Sequence, residues 1–82
     1  MSFEAQIQLF IARNLLFSGD GFGYSDDASF LREGIVDSIG ILELVTFIEN
    51  SFNIRVDDTE LTPDNFDSIN KVAAYIHNKI SR

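Results

Sequence analysis

Few residues in this chain could do covalent chemistry. There is no cysteine, so disulfides, thiolate metal sites and protein-thiol reactions are excluded. The one histidine, His77, falls within a helical pattern near the C-terminus, where a solvated or half-buried imidazole is the expected state and a catalytic one is not. The hydroxyl that stands out is Ser38, directly after Asp37 at the start of another helical pattern. The first N–H groups of a helix lack intrahelical partners and the dipole is positive there, so a phosphate ester on Ser38 would be well placed. An Asp-Ser pair at a helix start is, by itself, more often a plain capping pair.

Other chemical patterns fail on spacing. A calcium loop of the EF-hand type needs regularly spaced Asp or Asn, a central Gly and a distal Glu. Neither Asp20-Gly21-Phe22-Gly23 nor Asp57-Asp58-Thr59-Glu60 has that layout. A serine-hydrolase elbow needs Gly two places before and two places after the Ser. Gly40 fills the second place, but Val36 occupies the first. No metal site is expected.

The element that would position Ser38 runs from Asp37 or Ser38 to about Phe52, with Asp37 as N-cap and Asn53 as the stop. At roughly 100° per residue with Ile39 at zero, Leu44, Ile48, Ile41, Phe52 and Val45 span about 140° to 240°, the stripe expected to face a core. Ile39, Leu42 and Thr46 lie on the opposite side, and Glu43 and Asn50 share that side. Burial of Ile39 and Leu42 under a loop is one reading. A carboxylate on the same face argues against it, and an exposed apolar pair beside acids suits a partner-binding surface.

Four further segments complete the outline. The first is a helix from about Ser2 to Phe17, capped by Ser2, with Phe3, Ile7, Phe10, Ile11 and Leu15 toward the core, and stopped by Ser18-Gly19-Asp20-Gly21. A long loop, about Ser18 to Val36, follows; it contains four of the five glycines and is expected to be pinned by Phe22, Tyr24, Phe30 and Leu31, with a helical turn possible around Ser29 to Arg32. Loops longer than ~15 residues are uncommon in compact domains and often functional. After the extended link Ile54-Arg55-Val56, a turn at Asp58 to Leu61 and a helical turn opened by Thr62-Pro63 are both compatible with the sequence. The last helix begins near Asp67-Ser68 with an apolar stripe of Ile69, Val72, Ala73, Ile76 and Ile80, and its later charges, Lys71, Lys79 and Arg82, are basic. The expected fold is all-α, a small bundle of three main helices and one short helix, as a single domain over residues 1–82.

Composition narrows the function further. A chain of 82 residues with 45% apolar residues can fold but has little room for a catalytic cleft, so an enzyme is not expected. The formal net charge of -7 repels nucleic-acid phosphates and anionic lipid, and points to protein partners with basic patches. The N-terminal MSFEAQIQLF is not a signal peptide, and no apolar run approaches the roughly 20 residues of a membrane span. A cytoplasmic monomer is the default expectation.

Residues 36–54, VDSIGILELVTFIENSFNI, resemble the acyl carrier protein family. The family pattern is Asp-Ser-(Leu or Ile), three variable residues, then Glu-Leu and an apolar residue; here these are Asp37, Ser38, Ile39, Glu43, Leu44 and Val45. The long loop before this segment, the Phe52-Asn53-Ile54 exit and the terminal Val72-Ala73-Ala74-Tyr75-Ile76 agree with it. The resemblance implies an acyl-carrier-like bundle in which Ser38 receives 4'-phosphopantetheine from coenzyme A through a phosphopantetheinyl transferase. The arm's thiol would then hold an acyl or aminoacyl thioester, which suits a chain without cysteine. It also implies that Asp37, Ile39, Leu42, Glu43 and Thr46 dock partner enzymes: adenylating acyl or aminoacyl ligases, synthases or acyltransferases bearing basic patches. Asp57, Asp58 and Glu60 could extend that acidic surface, or form a solvated turn. Carriers of fatty acid synthesis commonly have Asp where this chain has Gly40, and the Asp-Ser-Ile-Gly form is more similar to dedicated carriers paired with an adenylating ligase. The competing expectation is a helical interaction module that uses Ile39, Leu42 and Glu43 without a prosthetic group.

Overall fold

The computed structural model describes residues 1–81 as an all-helical fold, with no strand among them. The elements are α1 (Phe3–Asn14), α2 (Ser38–Phe52), a 3-10 turn (Asp58–Glu60), α3 (Pro63–Phe66) and α4 (Ile69–Ile80). Each long helix has the cap its sequence offers. Ser2 accepts from the Ala5 N–H, Asp37 from the Gly40 N–H and Ser68 from the Lys71 N–H, so each helix start has one otherwise unpaired donor satisfied by a side chain. Asn53 ends α2 in the left-handed conformation, φ 54°, which asparagine tolerates well.

The core forms where the apolar stripes meet. Ile7 and Ile11 of α1, Leu44 and Ile48 of α2, Phe66 of α3 and Ile69, Val72 and Ile76 of α4 are buried together. Phe30, from the long loop, is fully buried among them. A phenylalanine in that position contributes roughly 3–5 kcal/mol relative to alanine, so the loop is a structural part of the core. Two aromatic pairs close the α1–α2 side: Phe3 meets Phe52 edge-on at 5.1 Å, and Phe10 stacks on Phe47 at 4.3 Å.

Several expectations need correction. Helix α1 ends at Asn14, not Phe17. The chain widens after it, with the Leu16 N–H donating to the Ile11 carbonyl and the Ser18 N–H to the Ala12 carbonyl, and Phe17 turns through a left-handed φ of 54°. Tyr24 and Leu31 do not pin the loop; both are about half exposed, and Ile35 and Val36 are buried in their stead. The helical turn at Ser29 to Arg32, by contrast, forms as expected, the Glu33 N–H donating to the Ser29 carbonyl. Ser68 is the cap of α4, and Ile80 is exposed because the stripe runs past the end of the core there. Between α2 and α4 the 3-10 turn and α3 both form, the latter opened by Pro63 after Thr62. The expected C-terminal cation Arg82 lies outside the described residues.

Candidate functional site

Ser38 is the first residue of α2 and is exposed. The neighbouring Asp37 caps the helix, its Oδ1 accepting from the Gly40 N–H at 2.7 Å, while the Asp37 carbonyl accepts from the Ile41 N–H. Capping is therefore done by Asp37, and among the described residues the Ser38 hydroxyl makes no hydrogen bond. It stands free over the positive end of a 15-residue helix, where the N–H groups of Ser38 and Ile39 are the donors the helix itself leaves open. That geometry fits a phosphodiester on the hydroxyl.

Gly40 is where the sequence alone misleads. In sequence it reads only as a missing charge. In the fold Gly40 is buried, and a Cβ built on it would lie 2.7 Å from Val36 Cγ1, 3.3 Å from Asp37 Oδ1 and 3.5 Å from Leu15 Cδ1. Val36 is buried and β-branched, hence stiff. The glycine lets the first turn of α2 seat against Leu15 and Val36, and an aspartate does not fit there without displacing them.

Beside Ser38 lies an apolar groove of about 310 Å³. One wall is Ser38, Ile41 and Leu42 of α2; the other is Leu61, Thr62, Pro63 and Phe66; Leu31 and Asp67 close one end. Two sets of bonds hold the far wall and the end. The Leu31 N–H donates to Asp67 Oδ1 at 3.1 Å, the Phe30 N–H to the Asp67 carbonyl at 2.8 Å, and the Ser29 hydroxyl to Asp67 Oδ2. Glu60 Oε1 accepts from Lys79 Nζ at 2.7 Å, from the Tyr75 hydroxyl at 3.0 Å and from the Asp57 N–H at 3.0 Å. The lysine hydrogen bond, then the backbone one, hold the Glu60 carboxyl down at about 2 against an ordinary 4.5. Burial first, and the Glu60 hydrogen bond second, push the Tyr75 hydroxyl up. Glu60 is thus turned toward α4 as a structural anchor and does not extend an acidic recognition surface, whereas Asp57 and Asp58 are exposed.

The second face of α2 is open. Ile39 is 70% and Leu42 56% exposed, and Asp37, Glu43 and Thr46 are exposed with them. The loop packs elsewhere, through Phe22 and Phe30, so the reading in which it buries Ile39 and Leu42 does not hold. Thr46 donates its hydroxyl to the Leu42 carbonyl at 3.2 Å, a bond within the helix. Sequence reasoning missed Gly40's packing role, the Asp67 and Glu60 anchors and the exposed Phe17. Only a three-dimensional contact reveals the first three, since each joins residues from separate elements.

No cluster of potential metal ligands occurs among the described residues, and no helix there is long and apolar enough to cross a membrane. Residues 7–76 match the family described as phosphopantetheine attachment site, and the chain belongs to that family. It is a carrier protein, not an enzyme, of a family that bears 4'-phosphopantetheine covalently. The chain is 28% identical over 72 residues to the D-alanyl carrier protein of Lactococcus lactis subsp. cremoris (strain MG1363), covering 88% of this chain and 91% of that one. It is 37% identical over 46 residues to the D-alanyl carrier protein of Streptococcus sanguinis (strain SK36), covering 56% of this chain and 58% of that protein.

Proposed function

We propose that this protein is an aminoacyl carrier whose arm is attached to Ser38. The carrying observation is the free, exposed Ser38 hydroxyl on the first turn of α2, relieved of capping by Asp37. In the modification, the Ser38 oxygen forms a bond to the phosphorus of coenzyme A that bears the pantetheine. The bond from that phosphorus to the bridging oxygen breaks, adenosine bisphosphate leaves, and the hydroxyl proton passes to a base on the transferase. The arm then supplies the thiol that this chain lacks. Carrying is transport: the tether raises the effective concentration of a thioester at each partner's active site.

A small amino acid is the favoured cargo. The relatives named D-alanyl carrier proteins point that way. The partners on this reading are a phosphopantetheinyl transferase and an adenylating ligase, which meet the exposed Ile39 and Leu42 flanked by Asp37, Glu43 and Thr46.

The test is intact mass after incubation with coenzyme A and a broad-specificity phosphopantetheinyl transferase. Wild type is expected to gain one phosphopantetheine and Ser38→Ala none, with the variant's helical circular dichroism unchanged. A wild type that gains nothing with several transferases would leave a static docking module as the better account.

A further inference from the structure

Away from Ser38, the seam between α1 and α2 holds a hollow of about 310 Å³. The two helices run antiparallel, since Phe3 meets Phe52 at one end and Leu15 lies beside Gly40 at the other. The stacked Phe10–Phe47 pair, both partly exposed, lines the hollow together with Leu9, which is 39% exposed. Gln6 and Asn14 line it too, but each turns its amide back onto its own segment, to the carbonyls of Met1 and Phe10. The apolar surface between them has no partner in the fold.

Charge sets this hollow apart. The groove beside Ser38 holds Asp67, and the hollow between the end of α1 and the start of α2 holds Asp37 and Glu43. The hollow beside α4 holds Asp27, Glu60 and Asp64. The seam hollow holds no carboxylate, and its one charged side chain is Arg13. Arg13 lies in the last turn of α1, where a cation suits the helix dipole, yet it is exposed and forms no ion pair among the described residues. In a chain with 13 acidic residues, an apolar surface beside an unpaired cation is the reverse of the open face of α2.

We infer that the seam hollow is a second docking surface, and that its occupant is an amphipathic helix of a partner protein. That helix bears apolar residues at i and i+3 or i+4, and a carboxylate that meets Arg13. Shape argues for a helix. The furrow between two antiparallel helices accepts a third along it, and Gln6 to Arg13 spans about two helical turns, ~10 Å. Charge argues for a carboxylate on a protein. A densely anionic bilayer is repelled by a chain of net charge -7, whereas a single carboxylate need only meet Arg13. Position argues that the two surfaces work together. Phe47 follows Ser38 by nine residues, which places it ~13 Å along α2 and on the opposite side of that helix. A protein seated on the seam leaves Ser38 and the faces beside it open, so the carrier stays held while its serine end is served by another enzyme.

The probes are two synthetic helical peptides with the same leucines at i, i+3 and i+7, one carrying Glu beside them and the other Lys. In amide-resolved NMR titrations of the full chain, the Glu peptide is expected to shift Leu9, Phe10, Arg13, Phe47 and Ser51, and to leave Ile39 and Leu42 unmoved. Arg13→Gln should weaken its binding about threefold and Leu9→Ser about tenfold, with helical circular dichroism unchanged. Arg13→Glu should make the hollow prefer the Lys peptide. A Glu peptide that shifts none of the seam residues in wild type would overturn the inference, as would an Arg13→Glu variant that keeps the wild-type preference. Shifts of the same residues with concentration of the chain alone would assign the hollow to a second copy and sink the partner helix. Shifts on phosphatidylglycerol vesicles but not on the peptide would assign it to a lipid surface, with the same consequence. None of these readouts passes through Ser38, so the result stands apart from whether that residue takes the arm.

Discussion

Gly40 shows how one residue can be misjudged by propensity. Glycine inside a helix costs up to ~1 kcal/mol relative to alanine, so Gly40→Ala would stabilise an isolated α2. In the fold the added methyl would stand 2.7 Å from Val36 Cγ1, and Val36 is buried and β-branched, hence stiff. Overpacking of this kind costs about 1–3 kcal/mol, which exceeds the propensity gain. Gly40→Ala is therefore expected to be less stable than wild type by about 1 kcal/mol in urea denaturation, and Gly40→Asp by more. An alanine variant more stable than wild type would mean that the first turn is free to shift away from Leu15 and Val36. The same comparison bears on why Gly40, and not the Asp common in fatty acid carriers, stands here. A side chain at this position meets Val36 first, because α2 starts close against it.

Among the elements, the segment between α2 and α4 depends most on a single side chain. The 3-10 turn and α3 together carry Leu61, Pro63 and Phe66, the far wall of the groove, and Glu60 ties this stretch to Lys79 and Tyr75 of α4. Because the folded carboxyl sits at about 2 and the unfolded one near 4.5, the anchor's contribution is complete above about pH 4.5 and is lost as pH falls toward 2. Glu60→Gln should lower Tm at pH 7, and the gap to wild type should narrow as pH drops through that window. A gap that stays constant from pH 7 to pH 2 would show that the charge on Glu60 does not matter. The helices around this segment were legible in the sequence because Ser2, Asp37 and Ser68 each act locally, within three residues of the donor they satisfy. The core stripes of α1, α2 and α4 were legible for the same reason, since their period is a property of one helix. What escaped the sequence is non-local: the Glu60–Lys79 pair joins residues 19 apart, and Ser29–Asp67 residues 38 apart. The end of α1 escaped too, because the left-handed turn falls on Phe17, a residue that rarely adopts it, although glycines follow close behind.

For the molecule as a whole, charge acts in two directions. With 13 acidic and 6 basic residues, the compact state repels itself, while a basic partner is drawn to it. The one ion pair between described residues, Glu60–Lys79, opposes the first effect only locally, and its hydrogen bonds keep it partly shielded from salt. Salt should thus strengthen the fold and weaken docking at the same time. Between 0.05 and 0.5 M NaCl, Tm is expected to rise as the self-repulsion is screened. Over the same range KM for the transferase should increase, since the Debye length falls from about 10 Å at 0.1 M toward 3 Å at 1 M. Glu43→Gln, which removes a carboxylate from the open face of α2, should raise KM at low salt by a few-fold and flatten its salt dependence while leaving Tm nearly unchanged. The opposite signs make the test discriminating. A Tm that falls with salt would mean that specific ion pairs outweigh net repulsion in this fold. A KM indifferent to salt would mean that the acidic rim does not steer the partner, and that recognition rests on the apolar contacts of Ile39 and Leu42 alone.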